Sequence, residues 1–153
     1  MTDTQNRGKV VFRLAQDEFG YPPTDAEIVW AYLIPSGNYR IDNIPFYIRG
    51  ISSDDEIAVD KKGDVVFFRE LITPSRNSTF RLLLSDPVKS DQIRRDLGLL
   101  GCLVEFHKNV ALLAVEIPGT VSIEPFLEYV MSAQERDELD IEEGALRHTI
   151  SSE

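Results

Sequence analysis

Short runs rich in β-branched and aromatic residues, separated by Gly and Pro, dominate the first half of the chain. Residues 9–14 (KVVFRL), 27–34 (EIVWAYLI) and 65–72 (VVFFRELI) have this composition. Residues 38–44 return after a Pro-Ser-Gly turn, and residues 55–60 alternate weakly before a Lys-Lys-Gly-Asp turn. This spacing predicts five or six short strands that form a small curled sheet or barrel.

The second half of the chain mixes strands with amphipathic helices. Apolar residues at spacings of four and three predict a helix over residues 90–100, and Gly101 can cap its end. A second helix follows Ser122, a favourable N-cap residue. Its pattern places these side chains on the buried face: Phe126, Leu127, Val130 and Met131. The remaining segments predict strands over residues 79–84, 103–107, 110–117 and 139–141.

The order strand, helix, strand, strand, helix, strand is typical of a ferredoxin-like unit. The sequence therefore predicts an α+β protein in which a small N-terminal β-sheet or barrel packs on a C-terminal ferredoxin-like βαββαβ unit. We expect a disordered terminus over residues 1–8 and a disordered tail over residues 146–153. Between them we expect a β-rich subdomain over residues 9–76 and a ferredoxin-like subdomain over residues 77–145.

Composition and charge restrict the classes of function. The longest apolar run, residues 110–115, is far shorter than the roughly 20 residues that span a bilayer. The single cysteine cannot form an internal disulfide, which favours a reduced, cytoplasmic compartment. The net charge is −10, and residues 101–153 carry 3 Lys/Arg against 11 Asp/Glu. This excess argues against nucleic acid as a partner, because phosphate binding needs clustered Lys and Arg. It is compatible with a basic protein partner or simply with solubility.

No motif for catalysis, cofactor binding or metal binding is recognisable. The nine glycines are scattered and form no phosphate-binding loop. Cys102 and His107 are five positions apart, so their side chains should point to opposite faces of a strand. His148 stands alone in a polar tail. The triplet Asp54-Asp55-Glu56 lacks the spacing of a calcium loop and is interpreted as a solvated turn. We therefore expect no cofactor and no metal.

Two polar segments and one acidic run are the candidate binding regions. Each has a structural alternative: polar side chains near turns usually bond their own loops, and charge runs are usually solvated. A ligand pocket between the two halves would use Asp42, Asn43, Arg76, Asn77 and Ser78. An acidic face for a basic partner would use Asp137, Glu138, Asp140, Glu142 and Glu143.

The same segments resemble a bacterial family of unknown function, numbered 4265. The likeness covers about residues 27–145, and the Asp-Asn-Ile-Pro-Phe core at residues 42–46 is its most specific part. In the family pattern a His often precedes the Ser-Thr pair, whereas this chain has Asn77 there, which removes a general base. The resemblance supports the integrity of the fold and implies no mechanism. It rests on Trp30-Ala31, Tyr39 to Phe46, Ser78 to Arg81, Leu100 to Cys102, Glu105, Ala114 to Pro118, and Glu142 to Gly144.

Three functions are compatible with these observations. The first is a non-enzymatic acidic protein-binding module, for example an immunity-type protein that neutralises a basic toxin. The second is a small-ligand sensor that uses the polar pocket. The third is an enzyme that uses the same polar cluster, and it ranks last because no set of nucleophile, base and orienting group is visible.

Overall fold

A computed structural model describes residues 6–107 and 109–150 of the chain. The chain divides into two compact units, one ending at Ser75 and the other beginning at Arg76. The first unit contains strands β1 (Arg7–Arg13), β2 (Ala26–Leu33), β3 (Tyr39–Ile41), β4 (Glu56–Lys62) and β5 (Val65–Thr73). The second contains β6 (Ser78–Leu84), α1 (Ser90–Leu99), β7 (Leu103–His107), β8 (Leu112–Ile117), α2 (Glu124–Glu135) and β9 (Leu139–Ala145).

The five strands of the first unit form a closed barrel in sequence order. Neighbouring strands are antiparallel, and the barrel closes where β1 and β5 run parallel, with Val11 opposite Phe67. Alternate residues of β1 and β2 point inward because side chains alternate across a strand. Val10, Phe12, Val29 and Ala31 are fully buried in the barrel core.

The second unit is a four-stranded sheet in the order β7-β8-β6-β9, with every neighbouring pair antiparallel. The helices pack on one face of this sheet. Ile93 and Leu97 of α1 join Phe126 and Val130 of α2 in a core with the inward residues of the strands. Phe80 of β6 contacts Phe126, with ring centroids 5.1 Å apart. The predicted α+β class and the barrel are confirmed.

The predicted end of α1 agrees with the structure, whereas the predicted start of α2 does not. At the end of α1, the Gly101 amide donates to the carbonyl of Gly98 and the Cys102 amide donates to the carbonyl of Leu97. Gly101 has φ +89, so this is the glycine-terminated helix end that the sequence predicts. At the start of α2, however, the N-cap position is Ile123, and the Ser122 hydroxyl donates to Glu124 Oε2 instead. The predicted N-cap at Ser122 is therefore wrong.

Both ends of the chain contain more ordered structure than we expected. Arg7 and Gly8, placed by the sequence in a disordered terminus, begin β1. In the expected disordered tail, the backbone and side chain of His148 are hydrogen bonded. Residues 1–5 and 151–153 lie outside the described residues. Within the described part of the chain, neither helix has the length and apolar character needed to cross a membrane.

Candidate functional site

The segment at residues 42–46, the most specific part of the family resemblance, is hydrogen bonded to strand β2. The backbone amide of Asp42 donates to the Trp30 carbonyl at 2.9 Å, and Asn43 Oδ1 accepts from the Trp30 amide at 2.7 Å. The Asp42 carboxylate accepts from Arg7 Nε at 2.8 Å. The Asn43 side chain thus continues the ladder where the backbone pairing of β3 ends at Ile41. Both polar side chains have partners inside the barrel unit.

A buried glutamate holds the other end of this segment. Glu27 occupies an inward position of β2, and its carboxylate accepts three successive backbone amides, those of Phe46, Tyr47 and Ile48, at 2.6, 2.9 and 2.9 Å. A carboxylate that loses water must gain such donors, since an unpaired buried charge is very costly. We missed Glu27 at the sequence level, although an acid in register with buried Val29 and Ala31 is a detectable signal.

Asp55 is a second buried carboxylate with a structural role. It is fully buried and accepts from the Ser52 amide at 2.9 Å and from the Ser75 amide at 2.8 Å. The interpretation of residues 54–56 as a solvated turn therefore fails at Asp55, although Asp54 is exposed. Among the described residues, no group of three or more His, Cys, Asp or Glu is arranged to hold a metal.

The polar residues that precede β6 bond within the second unit. Asn77 Oδ1 accepts from the Gly119 amide at 3.0 Å. A side chain at Gly119 would place its Cβ 2.6 Å from Arg76 Cβ, so this close approach requires glycine. Through this hydrogen bond Asn77 contacts the loop that follows β8, 42 residues away in the sequence, rather than its own loop.

Ser78 meets a histidine that lies 70 residues away in the sequence. Its Oγ is 2.6 Å from His148 Nδ1, and His148 Nε2 lies 3.0 and 2.9 Å from the carbonyls of Pro118 and Val121. Carbonyls only accept, so we assign the proton to Nε2 and the Ser78 hydroxyl as the donor to Nδ1. This pair could not be predicted from the sequence, because no local pattern connects two residues that are 70 positions apart.

The Ser78–His148 pair has the composition of a catalytic dyad without its accessibility. Ser78 is fully buried, and its Oγ already accepts from the backbone amides of Arg147 and His148 at 2.8 and 3.1 Å. A nucleophilic hydroxyl must be able to reach a substrate carbon. We therefore interpret the pair as structural: its hydrogen bonds hold the residues after β9 against the start of β6.

A buried arginine links β6 to β9. Arg81 is 1% exposed, and its Nε donates to Glu142 Oε1 at 3.0 Å. The bulge between β6 and β9 places Gly144 over the guanidinium, where an added Cβ would lie 2.8 Å from Arg81 Cζ and 3.1 Å from the Thr79 carbonyl. The Ser-Thr-Phe-Arg and Glu-Glu-Gly motifs of the resemblance therefore meet in one contact.

The five residues of the predicted ligand pocket are divided between the two units. Asp42 and Asn43 belong to the barrel unit, and Arg76, Asn77 and Ser78 belong to the second unit. Within its own unit, each of the four polar residues other than Arg76 has the hydrogen bonds described above. A ligand pocket shared by these five residues stays a prediction.

The predicted acidic face is not continuous. Glu142 forms an ion pair with Arg81. Glu138 accepts a hydrogen bond from Arg136 Nε at 2.8 Å, and this contact lowers the pKa of Glu138. Glu143 and Asp140 lie on opposite faces of the sheet. Glu143 pairs with Phe80 of β6, whose side chain faces the helices. Asp140 lies between Leu139 and Ile141, which face the helices, so its side chain points to the other face. Asp137, Asp140 and Glu143 are exposed.

The outer surface of α2 carries a more regular set of acids. Glu124, Glu128 and Glu135 are exposed, and spacings of four and seven place them within one narrow stripe of an α-helix. Met131 lies in the same stripe and is 56% exposed. The prediction that Met131 is buried is therefore wrong, and Ala133 occupies the core position instead. We call Glu124, Glu128, Met131 and Glu135 the acidic stripe.

Cys102 is buried, and burial raises the pKa of its thiol from 9.0 to about 11. The thiolate is the reactive form, so its population near pH 8 falls about 100-fold relative to an ordinary cysteine. We expect native protein to react with Ellman's reagent at least 100 times more slowly than protein in urea. Equal rates in the two conditions would contradict a buried, unactivated thiol.

Comparisons with known proteins identify a family and a similar fold. The model of a family described as "Domain of unknown function (DUF4265)" matches residues 27–140. The chain is also similar to a structure described as "Novel crystal structure of a hypothetical protein from Neisseria gonorrhoeae", with 20% sequence identity and a TM-score of 0.79. That match covers 94% of this chain and 97% of the other, and at this identity it shows the fold alone. A comparison with curated proteins finds no match.

Proposed function

This chain belongs to the DUF4265 family, as the sequence motifs predicted, and we propose that it is a non-enzymatic module that binds a basic protein through the acidic stripe of α2. The observation that carries the proposal is the exposure of three glutamates and a methionine along one side of a single helix. Carboxylates would pair with Lys or Arg of the partner, and Met131 would supply adaptable apolar contact.

Glu124 lies in the first turn of α2, where the helix dipole favours an acid, but the other acids of the stripe do not stabilise the helix. Glu124 and Glu128 are like charges four residues apart, which costs an isolated helix a few tenths of a kcal/mol, about 0.2–0.5. Glu135 ends the helix and Asp137 follows it, where the helix dipole disfavours negative charge. Solubility alone does not require acids at these positions, since they could stand elsewhere on the surface. A binding role would account for acids at Glu128 and Glu135.

A shallow depression beside the stripe offers a partner side chain additional contact. It has a volume of about 400 Å³ and is lined by Leu100, Pro125, Glu128, Tyr129, Ser132 and Arg136. The Tyr129 hydroxyl donates to Asp96 Oδ2 at 2.6 Å, which ties α2 to α1. Burial and this carboxylate raise the pKa of Tyr129, so its hydroxyl stays protonated. This hydrogen bond restrains the Tyr129 side chain, which reduces the entropy cost of binding there.

The proposal has three further parts: the fold of the second unit, the cellular compartment and the type of protein. The element order of the second unit and its antiparallel strand order β7-β8-β6-β9 support a ferredoxin-like fold. The single, buried cysteine supports a reduced, cytoplasmic setting. A small acidic protein that binds a basic partner stoichiometrically has the properties of an immunity-type protein, and electrostatic attraction would speed the encounter.

Charge reversal on the stripe tests the proposal. Glu128→Lys/Glu135→Lys should fold normally and bind the natural partner roughly 10- to 100-fold more weakly, because two attractive contacts become repulsive. The matched control is Glu18→Lys/Glu70→Lys, the same charge change at two exposed acids of the barrel unit. The measurement is quantitative co-purification from cells that express each tagged variant at natural level. Identical sets of co-purified proteins for the stripe and control variants would overturn the proposal.

A further inference from the structure

One part of the barrel's outer wall, on strands β1, β2 and β5, presents several cations, although the barrel unit as a whole is acidic. On β1 the inward residues are Val10 and Phe12, so the alternate positions, Lys9 and Arg13 among them, project outward. Lys9 is directly opposite Trp30 on β2, and Val11 is opposite Phe67 on β5. Three adjacent strands thus bring cations and aromatic rings onto one wall.

The cations on this wall lie against the aromatic rings. Arg7 and Lys9 lie 4.3 and 5.3 Å from the centre of the Trp30 ring. Arg13 and Lys62 lie 4.7 and 5.5 Å from the centre of the Phe67 ring. Such contacts hold flexible cationic side chains in place at the surface. We call Arg7, Lys9, Arg13, Trp30, Lys62 and Phe67 the basic–aromatic face.

Exposed apolar residues continue the same wall. Ile28, two positions before Trp30 on β2, is 57% exposed, and Trp30 itself is 36% exposed. Val65, two positions before Phe67 on β5, is 43% exposed. Scattered exposed apolar residues are ordinary, but a contiguous apolar surface rimmed by polar groups marks a place of interaction. The basic–aromatic face therefore has an apolar floor and a cationic rim.

We propose that the basic–aromatic face binds an acidic segment of a partner protein in which carboxylates alternate with apolar side chains. The carboxylates would meet the cationic rim, and the apolar side chains would cover Ile28, Trp30 and Val65. This proposal is independent of the function proposed above, because it concerns a different unit of the chain and a partner of opposite charge.

A nucleic acid fits the charge of this unit less well. The barrel unit carries 8 Lys/Arg and 12 Asp/Glu, so its overall charge repels a polyanion. Arg7 already pairs with Asp42 at 2.8 Å. Three remaining cations would release few counterions, whereas binding of nucleic acid rests on many phosphate contacts. A short acidic segment needs only the local charges, since screening confines their effect to about 10 Å.

The single tryptophan of the chain reports directly on this face, because Trp30 lies at its centre. The probes are a short synthetic peptide of alternating Glu and Leu, a polyglutamate of equal length, and oligothymidylate. We expect the Glu-Leu peptide to shift Trp30 emission to shorter wavelength and to bind at least tenfold more tightly than the other two. Binding of polyglutamate with equal strength would overturn the proposal, because it would show that the apolar side chains contribute nothing. Tighter binding of oligothymidylate, or no response to the peptide, would overturn it.

Variants then locate the binding site. Lys9→Glu/Arg13→Glu should weaken the Glu-Leu peptide about tenfold or more, since two rim cations become anions. The control Arg94→Glu/Arg95→Glu makes the same charge change at exposed residues of α1 and should leave binding within twofold. Lys9→Gln/Arg13→Gln provides a milder variant, and circular dichroism checks folding in each case. Equal loss in the α1 control would contradict a local site.

Discussion

Replacement of Gly144 by Ala should destabilise the protein by about 3–5 kcal/mol, the range observed when a buried ion pair is broken. The added Cβ would lie 2.8 Å from Arg81 Cζ and 3.1 Å from the Thr79 carbonyl. Arg81 is nearly inaccessible to solvent, so its guanidinium cannot simply swing into water. It would lose its contact with Glu142 while it remains buried. Urea denaturation of the pure variant measures the free energy of unfolding.

A second glycine provides a control of opposite sign. Gly98 lies within α1, is exposed, and has no atom within 4 Å of an added Cβ. Gly98→Ala should therefore stabilise the protein by about 0.5–1 kcal/mol, because Ala favours the helix. The double variant Gly144→Ala/Arg81→Met, compared with Arg81→Met, tests the mechanism further. Without a guanidinium, Gly144→Ala should lower the free energy of unfolding much less than it does in the natural protein. Equal costs of Gly144→Ala in the two backgrounds would contradict it.

Replacement of Glu27 by Gln should cost about 2–3 kcal/mol, although the two side chains have nearly the same shape. The carboxylate accepts three backbone amides from Phe46, Tyr47 and Ile48. An amide side chain offers one acceptor oxygen, and its NH₂ group would face a backbone donor. At least one buried N–H would then have no acceptor, and the Asp-Asn-Ile-Pro-Phe segment would detach at this end.

The corresponding control is Glu18→Gln, which removes the same charge at an exposed position of the barrel unit. Surface changes of this kind usually stay within about 0.5 kcal/mol. Amide hydrogen exchange at residues 46–48 separates local from global effects: we expect it to accelerate in Glu27→Gln more than exchange in β9 does. Glu27→Gln with the stability of Glu18→Gln would show that the three amides do not depend on the charge.

Much of the fold was predictable because strand alternation is a local signal. Residues 103–107 form a strand over the predicted range, and β5 extends the prediction by one residue. The third strand is shorter than predicted, since the Asn43 side chain replaces a backbone partner. The acid Glu27 was overlooked for a related reason: residue type alone suggests exposure, and only the neighbouring backbone amides make its burial favourable.

The candidate sites were less predictable because they depend on contacts between distant residues. Ser78 and His148 meet across 70 positions, and Arg81 finds Glu142 across 61. Helical spacing correctly placed Phe126 and Val130 in the core, but it could not distinguish Met131 from Ala133 as the next core residue. Exposure of Met131, which only the packing of α2 decides, adds an apolar residue to the acidic stripe.

Carbodiimide cross-linking of the complex with its co-purified basic partner tests the proposed function most directly. This reagent joins a carboxylate to a lysine amine with no spacer, so it reports only groups in contact. We expect cross-links from Glu128 and Glu135 of the acidic stripe to lysines of the partner, and their loss in 1 M salt as screening shortens to about 3 Å. Cross-links confined to acids of the barrel unit, such as Glu18 and Glu70, would contradict the acidic stripe as the binding surface.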